Sequence, residues 1–146
     1  MTDLAMRKEM DEAISSGLDA LESLREARTQ LEKASRWGVL DLLGGGFVSG
    51  IMKHARIEQA EASLRLASDD LRTFARELDD VRLEINPDLE VRGVLLFADF
   101  FMDGFLADIL VQEKIRRALR NIELATDRVD SIVDSLIRSR QNIFGC

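Results

Sequence analysis

Residues 57–85 carry the feature that most constrains this chain. Ile57, Ala60, Leu64, Ala67, Leu71, Phe74, Leu78, Val81 and Ile85 follow one another in alternating steps of three and four. In a helix of 3.6 residues per turn that spacing draws one narrow apolar stripe, the coiled-coil seam that packs against other helices at a shallow angle. The same stripe returns in Val111, Ile115, Ala118, Ile122, Ala125, Val129, Ile132 and Leu136. A weaker version precedes both: Met10, Ile14, Leu21, Leu24 and Leu31 keep the register, Gly17 and Arg28 interrupt it, and Ala13, Ala20, Ala27 and Ala34 recur beside it. Such a row of small side chains lets a neighbouring helix approach closely. Rods with one apolar stripe must bury it against each other.

The expected fold is therefore all-α: an elongated antiparallel bundle of three long helices joined by short apolar helical connectors. One domain is expected over 1–146, with helix 1 about 2–36, an elbow at 37–46, helix 2 about 47–86, a connector at 87–104 and helix 3 about 105–142. In the connector, Asn86 is placed to cap a short helix and Pro87 to take its first position. The two connectors are expected at opposite ends of the bundle.

The connectors also suggest an internal repeat. Sliding the chain so that Asp41 falls on Asp99 sets "DLLGGGFVSGIM" over "DFFMDGFLADIL", with Gly46 on Gly104, Phe47 on Phe105 and Ile51 on Ile109. The register then continues along the helices, Ile57 on Ile115 and Leu78 on Leu136. A duplicated elbow-helix unit is the reading.

The first elbow is richer in glycine. Gly44, Gly45 and Gly46 stand together among Trp37, Leu40, Leu42, Leu43 and Phe47. A sharp turn whose apolar neighbours cap the bundle end is one account. The other is a small-molecule or anion site, because successive glycines expose backbone N–H groups at a helix start. Lys53 and His54 follow about two turns later, and the spacing is not that of a P-loop. His54, the single histidine, shares a helical face with Glu58 and Glu61, but no second histidine exists to complete a di-iron bundle site, so no metal or other cofactor is expected.

The second elbow, "VLLFADFFMDGFLADIL", holds Phe97, Phe100, Phe101 and Phe105, four of the chain's seven phenylalanines. A bundle end is too small to hide them all, so Leu96, Phe97, Phe100, Phe101, Gly104 and Phe105 are the candidate surface for a second copy of the chain or a partner protein. A membrane surface is the rival occupant, disfavoured because Asp99, Asp103 and Asp108 stand where an anionic membrane would call for Lys and Arg.

Charge and residue usage narrow the function. A net charge of −7 argues against a general nucleic-acid binder. Lys114, Arg116, Arg117, Arg120, Arg128, Arg138 and Arg140 outnumber Glu123, Asp127, Asp130 and Asp134 in the last rod, an imbalance that the acidic N-terminal segment complements within the molecule or across a dimer. With no tyrosine, one histidine, and one cysteine at the last position, the usual catalytic groups are nearly absent and no enzyme is expected. The start lacks the apolar run of a secretory signal, the terminal "IFGC" is not a prenylation signal, and no apolar stretch is long enough to span a bilayer, so a cytoplasmic location is expected.

The stretch "WGVLDLLGGGFVSGIMKHARIEQA" resembles uncharacterised bacterial all-α proteins that carry a Trp-Gly, Asp, Gly-Gly-Gly and Lys-His pattern. The resemblance covers about a sixth of the chain and implies no activity. It marks Trp37, Gly38, Asp41, Gly44, Gly45, Gly46, Lys53 and His54 as that pattern's residues, and adds weight to a role for the first elbow beyond turning the chain. The function expected overall is a non-enzymatic helical scaffold or adaptor acting as a homodimer.

Overall fold

A computed structural model describes residues 2–44, 47–85, 91–102 and 112–145, with side chains over 2–35, 58–81, 91–102 and 113–145. Among the described residues the chain is all-helical, with no strand: α1 (Asp3–Gly44), α2 (Phe47–Ile85), α3 (Val91–Met102) and α4 (Gln112–Phe144). At 1.5 Å per residue the 42-residue α1 runs about 63 Å. None of the helices is long and apolar enough to cross a membrane, among the described residues.

Local chemistry sets the outer ends. Thr2 caps α1, its hydroxyl accepting from the Ala5 amide at 3.2 Å and its carbonyl from Met6 at 2.9 Å. At the other end Gly145 adopts φ +71° and its amide donates to the Gln141 carbonyl at 2.9 Å, a left-handed stop that suits glycine. The first connector is shorter than expected from residue 37 onward. Residues 37–44 continue α1, because Leu40, Leu42 and Leu43 favour helix and a single Gly38 costs only about 1 kcal/mol. Gly45 and Gly46 lie outside the described residues. The short helix begins at Val91, so the expected cap at Asn86 and Pro87 also lies outside them, as does the expected start of the last rod at 105.

The seams read in the sequence meet in one core. Leu64, Ala67, Leu71, Phe74, Leu78 and Val81 of α2 and Ile115, Ala118, Ile122, Ala125, Val129 and Leu136 of α4 are buried together. On α1 the arrangement differs from the expected one. The alanine row is the seam itself: Ala13, Ala20, Ala27 and Ala34 are buried with Met10, Leu24 and Leu31, whereas Ile14 and Leu21 are only partly buried. Gly17 does not interrupt that seam but completes it. A Cβ there would stand 2.5 Å from Val133 Cγ2 and 2.8 Å from Phe74 Cε1, so the missing side chain is the space the other two helices fill.

α1 carries the contacts to α2 and α4, while α3 lies on α2 and touches α4 lightly. Partners pair in opposing order along the chain. Gly17 meets Phe74 while Ser23 donates to the Asp70 carboxylate; Gly17 meets Val133 while Asp11 accepts from Arg140 Nε at 2.6 Å. Arg7 lies 5.9 Å from the Phe144 ring centre, tying the end of α4 to the start of α1.

Candidate functional site

α3 is 12 residues of largely apolar sequence, and helical geometry divides it into two faces. Val94, Ala98 and Phe101 fall at i, i+4 and i+7 and are fully buried against the bundle. Ser68 of α2, itself fully buried, fastens that face by donating its hydroxyl to the Ala98 carbonyl at 2.8 Å. A buried hydroxyl needs such a partner, since leaving it unpaired costs about 1–3 kcal/mol. At the rim, Arg72 meets Asp99 at 3.3 Å. Two short polar contacts thus hold a short helix in one orientation.

That orientation corrects part of the expected partner surface. Phe101 is core, and Phe100 meets it edge-on at 5.6 Å and 78° while packing partly against the same core. Phe97 is likewise half-buried on the bundle. A four-sided arrangement of helices has more interior than a three-rod end, which is why the aromatic side chains find cover. Leu96 remains outside at 63% exposure, with Leu95 beside it at 38%. Gly104 and Phe105 lie outside the described residues.

The first elbow is not assembled into a site by the described residues. Trp37, Gly38, Asp41 and Gly44 lie in the backbone of α1, and Phe47, Lys53 and His54 in that of α2, but their side chains fall outside the described set. Of the His54 face, Glu58 is exposed and Glu61 half-buried.

Three features escaped the sequence reading. Open grooves line the bundle: about 570 Å³ among Leu4, Arg7, Asp11 and Arg140, about 400 Å³ among Asp69, Arg72, Thr73, Arg76 and Leu95, and about 300 Å³ among Arg28, Glu32, Arg116 and Glu123. Their mixed charge and shallow form are those of helix-to-helix furrows. Carboxylate oxygens of Glu9, Glu12 and Glu77 come within 4.8 Å of one another across α1 and α2. Partial burial raises the Glu77 pKa above its ordinary value, and the charges of Glu12, Asp80 and Glu9 raise it further against the lowering effect of Arg76. Short polar residues inside the bundle, Ser16, Ser23 and Ser68, are the third feature, each hydrogen-bonded.

No protein-family model matches the chain, and comparison with curated proteins and with solved structures gives no match.

Proposed function

We propose that this chain is a non-enzymatic, cytoplasmic helical scaffold or adaptor that acts as a homodimer. In this reading the three long rods form an elongated antiparallel bundle, the two connectors are copies of one elbow-helix unit, and the second elbow is the meeting surface. The opposing order of the contacts along α1 supports the antiparallel arrangement. One observation carries the functional reading: Leu96 stands 63% exposed on a helix whose opposite face is pinned to the bundle by Ser68 and Phe101. With Leu95 beside it, Leu96 gives this face two adjacent exposed leucines, and that pair supports the reading.

Light scattering at tens of micromolar tests it. A mass twice the 16.5 kDa of the chain is expected, and a monomer across that range refutes the reading. Leu96→Asp is expected to give a monomer with an unchanged helical circular dichroism spectrum. A Leu96→Asp protein that still dimerises moves the surface elsewhere.

A further inference from the structure

The outer face of α3 has a symmetry of its own. Arg92, Leu95, Leu96 and Asp99 stand at i, i+3, i+4 and i+7, on one side of the helix, and all four are exposed. The midpoint between Leu95 and Leu96 is also the midpoint between Arg92 and Asp99. Turning a second copy by half a revolution about an axis through that midpoint sets leucine on leucine. The same turn brings each Arg92 over the other copy's Asp99. A face whose two ends carry opposite charge at equal distance from an apolar centre is its own complement under two-fold symmetry, the commonest symmetry of homodimers.

We infer that two copies of this chain pair α3 against α3 in antiparallel register, with Leu95 and Leu96 at the two-fold axis and Arg92–Asp99 ion pairs on either side of it. The inference rests on the homodimer reading above and gives it a register.

Neighbouring geometry fits the second copy. Asp99 is held in place by Arg72, whereas Arg92 makes no ion pair among the described residues. The groove of about 400 Å³ walled by Asp69, Arg72, Thr73 and Arg76 borders the pairing face at Leu95. Its walls carry both signs of charge, which suits a protein surface more than a lipid one. A helix of 12 residues with flanking contacts from α2 gives an interface at the small end of specific ones, so a reversible dimer is expected.

Charge reversal tests the register. Arg92→Asp sets carboxylate against carboxylate at both ends of the pairing, and Asp99→Arg sets guanidinium against guanidinium. Each variant alone is expected to weaken the dimer roughly tenfold. Mixed in equal amounts, they are expected to form a heterodimer with opposite charges facing each other at both ends of the pairing. The double variant R92D/D99R, likewise opposite at both ends, is expected to recover most of the native affinity, short of all of it because it gives up the Arg72–Asp99 ion pair. The double variant also controls for folding, since only a folded chain can restore the assembly. A wild-type monomer removes the homodimer reading and this register with it. A dimer that neither reversal weakens, or a double variant that stays monomeric, leaves the homodimer standing and overturns the register. Sedimentation of the wild-type chain with phosphatidylcholine vesicles, abolished by Leu96→Asp, also overturns it by assigning the face to a lipid surface.

Discussion

Replacing Gly17 with alanine sets two magnitudes of opposite sign against each other. Helix propensity alone favours the change, since alanine in a helix interior is about 1 kcal/mol better than glycine. The packing opposes it. The added methyl would lie 2.5 Å from Val133 Cγ2 and 2.8 Å from Phe74 Cε1, both closer than van der Waals contact allows. Val133 and Phe74 are buried, at 4% and 0% exposure, so neither has open space to retreat into. Valine is also stiff at χ1, which leaves a shift of the helix as the remaining response. Overpacking a close-packed core costs about 1–3 kcal/mol. The net expectation is a loss of about 1 kcal/mol, read from urea unfolding by circular dichroism at one fixed protein concentration, so that the proposed dimerisation weighs equally on every variant. Val133→Ala removes the nearest clashing atom and leaves Phe74 Cε1, so adding Gly17→Ala in that background is expected to cost less than it does in the wild type, a coupling of about 1 kcal/mol. A single Gly17→Ala variant that gains about 1 kcal/mol would refute the argument, for propensity would then have won and the three-helix contact at residue 17 would be looser than described.

Further outcomes are expected from the polar contacts and the elbow. Ser68→Ala leaves the Ala98 carbonyl with one acceptor bond fewer and is expected to cost about 1 kcal/mol, with amide exchange accelerated selectively in α3. Phe101→Ala opens a cavity in the core and is expected to cost about 3–5 kcal/mol, whereas Leu96→Asp is expected to leave the monomer's stability within about 0.5 kcal/mol of wild type. Glu77 holds its proton more tightly when folded than when unfolded, so the folded state binds more protons between the two pKa values. Its contribution to stability therefore falls as pH rises from about 4 through the raised value. Glu77→Gln is expected to flatten that stretch of the stability–pH curve, and an unchanged slope would refute the upward shift that burial and the charges of Glu12, Asp80 and Glu9 produce.

The seams of α2 and α4 were legible because their core positions are filled by residues that announce burial: leucine, isoleucine, valine, phenylalanine. α1 encodes its core differently. Its interior positions are small, and smallness in a sequence reads as absence until the neighbour that occupies the space is known. Gly17 is the clearest case, a residue that lowers helix propensity and breaks the apolar pattern yet sits where three helices meet. Ser23 and Ser68 were illegible for a related reason, since a serine in a helix reads as surface unless its acceptor on another helix is visible. At the second elbow, the density of phenylalanine signalled excess apolar area but not its direction. Helical phase alone put Phe101 inside, Leu96 outside, and Phe97 and Phe100 between them. Residues 37–44 were read as an elbow leading into the run Gly44, Gly45 and Gly46, yet their leucines carry α1 on as far as Gly44.

The polar clasp between Asp11 and Arg140 joins residues near opposite ends of the chain. Forming it closes a separation of 129 residues, whereas the contacts of α1 with α2 and of α2 with α3 close over much shorter stretches of chain. Loop-closure entropy therefore makes the α1–α4 face the costlier one to assemble, and the α1–α2 pair is expected to form ahead of it.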